Sequence, residues 1–390
     1  MSDLWSTPER RALRKLVADF AAREVTPHID QWERDGELPR SLHQRAGELG
    51  LLELGLPESG GGAGDYIDLA ILSEELIAGS SSGGLCGSLL THTIAAPHIA
   101  AAGDQRQIET YVRPTLAGDK IGALAITEPG AGSDVASVAT KAVRDGDHYV
   151  VNGAKTYITS GTRADYVTTV VRTGGAGYQG LSLLIIDSGT PGFAVTSKLE
   201  KMGCLCSDTA ELSFVDARVP VANLVGAEGT AFAQLMTRLD GERLLLAVQA
   251  VAIAQRAFDL TVPWVRQRVT FGQPLSHRQV IRHKLAEMAR QTTAARSFVR
   301  DVASRYVAGE HVSSEVAMAK NTAVFACDYV TNEAVQMFGG MGYIRENEVE
   351  RLYRDARILG IGGGSNEIMN EIIAKTLGLD SPAPNTAVAQ

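Results

Sequence analysis

The stretch from Leu235 to Gly272 constrains the fold more than any other part of the sequence, because its apolar residues surround almost the whole circumference of one helix. A helix of this kind cannot lie on a surface, so we expect it inside a bundle. Asp240, Glu242 and Arg243 precede its densest apolar run. Charged groups beside a buried segment are costly unless they are paired, hydrated or used in chemistry. These three residues are therefore the first candidates for a functional site.

The period of the hydrophobic pattern divides the chain into parts. Residues 1–120 show helical spacing, residues 121–232 are dominated by β-branched and alternating segments, and residues 233–380 return to helical spacing. The sequence thus predicts a multidomain α+β fold with an N-terminal helical domain, a middle antiparallel β domain and a C-terminal four-helix bundle. Residues 381–390 are rich in Pro and Ala and predict a disordered tail.

Local signals place several boundaries. Thr7 followed by proline is typical of a helix start. Gly79–Gly84 predicts a flexible connection to an apolar helix from about Leu85 to Ala102. Asp145-Gly146 and Asn152-Gly153 are dipeptides typical of hairpin turns, so two hairpins are expected early in the β domain.

Composition excludes several classes of protein. The net charge of -8 does not favour nucleic-acid binding, which uses clustered Lys and Arg. The four cysteines are few and irregularly spaced, which indicates a reducing compartment, and Cys204 and Cys206 alone do not predict a metal site. No uninterrupted apolar run is long enough to span a bilayer, and the N-terminus resembles no export signal. We therefore expect a cytoplasmic protein with no bound metal and no membrane span.

Two formal motif matches are rejected, and two other common motifs do not occur. Gly79–Gly83 fits the pattern of a hydrolase nucleophile elbow, but that elbow needs a preceding strand, whereas a helix is predicted here. The glycine clusters near Gly60, Gly339 and Gly360 follow no strand of a β-α-β unit, so they do not predict dinucleotide binding on a Rossmann fold. The sequence has neither a P-loop nor a His-Glu-x-x-His motif.

Five further motifs form a stronger set. The first lies where helix gives way to sheet, and its glycines allow backbone amides to approach an anion or a planar ring closely. With the other four in the same order, the sequence resembles the acyl-CoA dehydrogenase family from about residue 7 to residue 379. The motifs are Ala125–Asp134, Asn152–Thr159, Arg268–Gly272, Gln336–Tyr343 and Arg354–Arg357.

The resemblance implies an FAD site. Ile126 and Thr127 would meet the edge of the flavin ring, and Ser133 would lie at the pyrophosphate region or the substrate entrance. Tyr157 and Thr159 would lie at the flavin face and its N5 side. A local interpretation of Tyr157 as a strand core residue remains open at this stage.

The resemblance also implies a homo-oligomer, a tetramer in the family, because one group of residues would reach FAD in a neighbouring subunit. Arginine's bidentate donors suit a pyrophosphate, whereas the alternative for Arg268 is a solvated helix charge. This group consists of Arg268, Phe271, Gln336 and Gly340, and the remaining expected cofactor residues are Gln279 and Ser365.

One departure from the family pattern concerns the catalytic base. Many members carry a glutamate in a late loop, and here Gly363 occupies that position. The long-chain and isovaleryl-CoA dehydrogenases carry the base on the helix, in a Glu-Arg pair that Glu242 and Arg243 match. Glu367, the nearest carboxylate to Gly363, is interpreted as favouring the dipole of the last helix. The resemblance is therefore closest to the long-chain/isovaleryl subgroup, although a surface or salt-bridged Glu242, partnered by Arg243 or Arg238, remains an alternative.

The implied reaction is α,β-dehydrogenation of an acyl-CoA thioester to the trans-2-enoyl-CoA in fatty acid β-oxidation. Glu242 would abstract the α proton while flavin N5 accepts the β hydride, and the Gly363 amide would hold the thioester oxygen. Asp240, Arg243 and Ser133 would contact the substrate, and an electron-transfer flavoprotein would accept the electrons. Two alternatives on the same fold are a flavin-dependent monooxygenase and a dehydrogenase of a carrier-protein-bound acyl thioester.

Overall fold

The computed structural model describes residues 4–379, so the predicted tail at 381–390 lies outside the described residues. The chain begins with helices, and Thr7 caps the first of them by accepting a hydrogen bond from the Arg10 amide, as predicted. The N-terminal helices are α1 (Pro8–Phe20), α2 (Ile29–Asp35), α3 (Arg40–Glu48), α4 (Tyr66–Ser80), α5 (Gly83–Leu89), α6 (His92–Ala102), α7 (Gln105–Gln107) and α8 (Arg113–Leu116), with π-helical turns at Ala21–Val25 and Ile108–Val112.

An eight-stranded sheet follows the helices. Its strands run in the order β6-β7-β3-β2-β4-β5-β8, and β1 pairs with β4. The pairing is mainly antiparallel, as predicted, but β1 and β2 each run parallel to β4. The strands are β1 (Gly122–Ala125), β2 (Lys141–Asp145), β3 (His148–Thr159), β4 (Tyr166–Arg172), β5 (Leu181–Asp187), β6 (Phe193–Lys198), β7 (Thr209–Pro220) and β8 (Leu224–Val225).

The chain then returns to helix, as the apolar spacing predicts. Helix α9 packs against α4, α10 and α11, and one continuous apolar core joins the two helical regions, with Leu72 and Ile253 both fully buried in it. This confirms the three-part fold. The remaining elements are α9 (Ala231–Gln267), β9 (Val269–Thr270), β10 (Gln273–Pro274), α10 (Gln279–Val307), α11 (Ser313–Phe338), α12 (Glu348–Ala356) and α13 (Asn366–Thr376).

Helix α9 is less uniformly buried than its apolar residues suggest. Its first two turns pack on α6 and β5 in a second core through Ala231 and Leu235, whereas Met236 is exposed and most residues from Leu244 onward to Ala257 are buried. By length and composition α9 is the one helix of residues 4–379 that could cross a membrane, but 61% of its most apolar window is buried within the fold, as in a core helix. The partly open segment between the two cores is the one that carries Glu242.

Three local predictions are wrong. Asn152-Gly153 is not a hairpin turn but lies inside β3, where Gly153 has a φ of +152° and the register with β7 shifts. A side chain there would meet Thr140, so glycine serves close packing rather than chain reversal. The loop predicted at 79–84 is reduced to two residues, because α4 continues to Ser80 and α5 begins at Gly83. The single helix predicted over 85–102 is divided into α5 and α6.

Candidate active site

Glu242 is partly buried on α9, and its carboxylate forms no hydrogen bond or ion pair with any of residues 4–379. Burial raises the pKa of Glu242 to about 7, although the charge of Arg243 opposes that rise. The interpretation of Glu242 as a glutamate salt-bridged to Arg243 or Arg238 therefore finds no support. An unpartnered carboxylate that titrates near neutral pH has the properties of a general base.

The late loop around Gly363 lies directly against this part of α9. The Arg243 Nε–H donates to the carbonyl oxygen of Gly363 at 3.1 Å. A side chain at position 363 would come within 2.7 Å of Leu246 Cδ1, and Leu246 is one helical turn after Glu242. The fold thus brings together the two positions where the family resemblance allows a base.

The loop has a conformation that favours glycine. Gly363 and Gly364 have φ values of +64° and +96°, in the region that side chains disfavour. Within residues 4–379, no acceptor takes the N–H of Gly363. The loop therefore presents an unused backbone donor beside the segment that carries Glu242.

Asp240 and Gly241 are held by neighbouring helices. The Ser313 hydroxyl donates to Asp240, and Arg243 Nη1 lies 3.7 Å from the same carboxylate. The Tyr66 hydroxyl donates to the Gly241 carbonyl at 3.0 Å, and a side chain at Gly241 would come within 2.9 Å of the Tyr306 hydroxyl. Glycine at position 241 thus allows two tyrosines to close over the backbone next to Glu242.

A second group of predicted residues meets where β1 ends beside β3. The Lys155 ammonium, fully buried, donates to the Ile126 carbonyl at 2.9 Å and pairs with Glu128 at 2.8 Å. The Thr156 amide donates to the Thr127 carbonyl. These contacts clamp the 126–128 segment to β3, so Ile126 and Thr127 lie close to the strand that carries Tyr157 and Thr159.

The Lys155–Glu128 pair was not recognised from the sequence, although both residues lie in the quoted motifs. Burial lowers the pKa of Lys155 to about 8 despite the attraction of Glu128. Burial of Glu128 would raise its pKa, but Lys155 and the amides of Ala139 and Thr140 hold it below the usual value. The pair is therefore charged and positions the 126–128 segment.

Tyr157 is not a strand core residue. It has a φ of +60° beside a second register shift of β3, and its side chain is 69% exposed. Register irregularities commonly re-aim a side chain, and this one turns an aromatic ring outward. An exposed aromatic ring on the strand that also carries Thr159 and is bonded to the Thr127 backbone offers a contact surface and hydroxyl donors that fit a flavin. Ser133 is also exposed, and side chains at Gly130 and Gly132 would meet little or nothing, so that segment leaves room for a ligand.

A third group lies at the other end of α9. Trp264 joins the ends of α9 and α11, because its indole N–H donates to the Met337 carbonyl and its ring stacks on Phe338 at 4.6 Å. Phe271 is 97% exposed, with Arg278 over its ring. The predicted cofactor residues that share this exposed end of the molecule are Arg268, Phe271, Gln279, Gln336 and Gly340.

Arg268 cannot share one site with Glu242 of the same chain. The two residues are separated by about seven turns of helix α9, which is roughly 39 Å. The structure therefore places Arg268, with the exposed residues at that end of α9, far from Glu242 on the same subunit.

Ser365 and Glu367 have local roles at the start of α13. Ser365 is the N-cap residue, and its hydroxyl accepts a hydrogen bond from the Ile368 amide at 3.4 Å. Glu367 lies in the first turn, where a carboxylate favours the helix dipole, as predicted. Lys320, which the sequence analysis did not single out, also reaches this loop by donating to the carbonyl oxygens of Gly362 and Gly364.

No group of three or more potential metal ligands occurs among residues 4–379. Cys204 and Cys206 are both free thiols. Burial raises the pKa of each thiol, so neither has the character of a reactive thiolate.

Three family models match the chain consecutively. They describe the acyl-CoA dehydrogenase N-terminal domain at residues 7–119, the middle domain at residues 123–217 and the C-terminal domain at residues 229–378.

The chain is also similar to individual proteins of this family in sequence and in structure. The chain is 39% identical over 377 residues to the mitochondrial long-chain specific acyl-CoA dehydrogenase of Rattus norvegicus, covering 96% of this chain and 87% of the rat protein. A crystal structure of a probable acyl-CoA dehydrogenase from Mycobacterium abscessus is 62% identical, with a TM-score of 0.95, and covers 96% of this chain and 100% of that one. The FAD complex of PigA has a TM-score of 0.92 at 25% identity, covering 97% and 100% of the two chains.

Proposed function

This chain belongs to the acyl-CoA dehydrogenase family, and from that premise we propose that it converts an acyl-CoA thioester to the trans-2-enoyl-CoA with Glu242 as the base. It is an oxidoreductase whose cofactor is FAD. When bound, FAD takes up the two electrons that leave the substrate. The observation that carries the proposal is the unpartnered carboxylate of Glu242, titrating near pH 7, beside the Gly363 loop.

Glu242 acts as the base because its environment sets its basicity. Glutamate in water has a pKa of roughly 4.3, which makes it a weak base for a carbon acid. Burial raises the pKa of Glu242 to about 7, so the carboxylate holds an abstracted proton more tightly while remaining largely ionised at slightly alkaline pH. Since no neighbour neutralises it, Glu242 is available to the α carbon of a bound thioester.

The Gly363 amide stabilises the charge that develops on the thioester oxygen. Removing an α proton moves negative charge onto that oxygen, and a fixed N–H donor there lowers the barrier. Gly363 lacks a carboxylate, yet its N–H is unused within the described chain. Loss of the side chain thus leaves the donor role intact.

Arg243, Asp240 and Ser133 bind the remainder of the substrate. Arg243 uses its Nε–H on the Gly363 carbonyl, which leaves the terminal guanidinium nitrogens beside Asp240 for polar groups of CoA. Ser133 is exposed in the loop that follows the 126–128 segment clamped by Lys155. Arg243 thereby connects substrate binding to the position of the late loop.

Two subunits build each cofactor site. Ile126, Thr127, Tyr157 and Thr159 contact FAD from one subunit, with Ser365 at the start of α13. The exposed set at the far end of α9, which includes Arg268 and Phe271, completes the FAD site of a neighbour. The length of α9 supports this division, because it holds Arg268 roughly 39 Å from Glu242 of the same chain. We therefore propose a homo-oligomer, a tetramer by analogy with the family, and three domains at 1–120, 121–232 and 233–380.

The helix-borne base supports membership of the long-chain/isovaleryl subgroup. We further propose that the enzyme acts in fatty acid β-oxidation in the cytoplasm, with an electron-transfer flavoprotein as acceptor. A monooxygenase on the same fold would need no carboxylate at Glu242. A carrier-protein thioester would not need the CoA contact at Arg243.

One experiment separates these functions. The purified holoenzyme is mixed anaerobically with acyl-CoA esters from short to long, straight and branched, and with acyl-carrier-protein counterparts. We expect a CoA ester to bleach the absorbance of bound FAD and to yield the trans-2-enoyl-CoA. The proposal fails if no CoA ester bleaches the flavin, and bleaching only by carrier-protein esters would favour that alternative.

A further inference from the structure

Lys320 is a fully buried cation without an acidic partner. It lies on α11 with no measurable exposure, and no carboxylate of residues 4–379 pairs with it. The other fully buried lysine, Lys155, forms an ion pair with Glu128. A buried ammonium is costly unless its donors are satisfied, so the partners of Lys320 must supply that compensation.

Its partners are backbone carbonyls of the late loop. The Lys320 ammonium donates to the carbonyl oxygen of Gly362 at 2.6 Å and to that of Gly364. The carbonyl oxygen between them, that of Gly363, accepts from Arg243 Nε. Three consecutive carbonyl oxygens are thus each held by a cationic side chain.

This arrangement determines where the loop amides point. A trans peptide is planar, and its N–H is directed opposite to its C=O. The described chain has no cis peptide, so an oxygen of Gly362 directed at Lys320 turns the N–H of Gly363 away from Lys320. The same N–H has no acceptor within residues 4–379.

We propose that Lys320 is a positioning residue that fixes the Gly362–Gly363 peptide, so that the Gly363 N–H is aimed at the thioester oxygen of the substrate. This inference rests on the proposed function. Gly363 and Gly364 both have positive φ and lack side chains that would anchor them, so the loop needs an external anchor. The ammonium supplies two such anchors and adds positive potential behind the donating peptide.

The neighbouring residue provides a matched control. Asn321 also joins α11 to the following segment, donating to the Asn366 carbonyl and to Asn370 Oδ1. It does not contact the carbonyl oxygens of Gly362 or Gly364. Asn321→Leu therefore removes a similar link between α11 and α13 but leaves the anchors of the loop intact.

The test measures polarisation of the thioester carbonyl. An acyl-CoA analogue with sulfur at the β position cannot be dehydrogenated, and a ¹³C label identifies its C=O stretch. Infrared difference spectra are recorded with FAD-loaded wild type, Lys320→Met, Lys320→Gln and Asn321→Leu. We expect a downward shift of the stretch on binding to wild type and to Asn321→Leu. Lys320→Met should lose most of the shift, and Lys320→Gln, which keeps one donor group, should lose part of it.

Turnover gives a second readout. We expect kcat of Lys320→Met to fall by roughly tenfold to a hundredfold. This loss should not exceed the loss of kcat that follows removal of a hydrogen-bond donor to a developing oxyanion. The FAD content should stay unchanged. A folded Lys320→Met or Lys320→Gln enzyme with the full wild-type shift overturns the inference. Lys320→Gln decides the matter if Lys320→Met does not fold. If wild type showed no shift with the analogue and no bleaching of FAD with any acyl-CoA ester, the proposed function itself would be contradicted.

Discussion

The side chain of Arg243 donates from Nε to the carbonyl oxygen of Gly363 at 3.1 Å, which ties the helix that carries Glu242 to the late loop. The two sites that family members use for the catalytic base are therefore held together in this chain. The proposed base lies on helix α9, and the unused amide donor lies on the late loop.

Replacing Arg243 should loosen this connection. We expect Arg243→Met to lower kcat/KM by about tenfold to a hundredfold, since a charged hydrogen bond to the loop contributes roughly 1.5–3 kcal/mol and the proposed contacts with CoA would be lost as well. Steady-state kinetics with the preferred acyl-CoA measures the effect. The control is Arg238→Met, which makes the same charge change on α9 without a contact to the loop. Equal effects of the two substitutions would contradict this role of Arg243.

Gly363 should not tolerate a side chain. Gly363→Ala combines a positive φ with an approach of 2.7 Å to Leu246 Cδ1, so we expect a loss of roughly 1–3 kcal/mol and a lower melting temperature of the holoenzyme. In a Leu246→Ala background the contact is absent, and the further effect of Gly363→Ala should shrink to that of the backbone alone. The same penalty in both backgrounds would show that Leu246 is not the obstacle.

The pKa of Glu242 predicts a trade-off between stability and function. Because the folded-state pKa of about 7 lies above the ordinary value, the folded protein binds the proton more tightly than the unfolded chain, and this contribution is lost as pH rises to 7 and beyond. Glu242→Gln should therefore be more stable than wild type at pH 8 by ~1–3 kcal/mol, with the difference shrinking toward pH 5. Melting temperatures across that range measure it. A Glu242→Gln protein that is less stable at pH 8 would contradict the burial of an unpaired charge.

Mixed oligomers should test the division of the cofactor site. Glu242→Gln removes the proposed base, and Arg268→Gln weakens FAD binding. We therefore expect each variant alone to be nearly inactive. If Arg268 serves the neighbour, oligomers refolded or co-expressed from both proteins contain sites with an intact base and an intact arginine. Activity should then reappear in the mixture. A mixture as inactive as its components would place both residues in one subunit's site.

Some of this site could be predicted from the sequence because its signals are local. The apolar spacing around Leu244 to Val265 identifies the buried helix, and Glu242 stands out as a charge that precedes it. Thr7, Asp145-Gly146 and Glu367 are likewise turn or cap signals that tertiary contacts do not override. The comparisons confirm the family and the three-part fold, while the roles of the individual residues remain predictions.

Other features depend on contacts between distant segments. Lys320 and Lys155 look like solvated lysines until the partner carbonyls and Glu128 are in place. Gly153 was interpreted as a turn because its dipeptide is typical of hairpins, yet the approach of Thr140 explains it. Helix α12 was missed because its residues are mostly charged, and its buried Arg351 acquires its partners, the Ser80 carbonyl and Asp30, only in the fold.

We propose that Glu242 removes the α proton of the substrate. This step can be measured with the acyl-CoA analogue that has sulfur at the β position. The analogue is incubated with FAD-loaded enzyme in D₂O, and mass spectrometry follows the exchange of its α hydrogens for deuterium. Wild type should catalyse the exchange, with a rate that rises as pH passes about 7, whereas Glu242→Gln with full FAD content should exchange at least about a hundredfold more slowly. Exchange at the wild-type rate in Glu242→Gln would contradict the account.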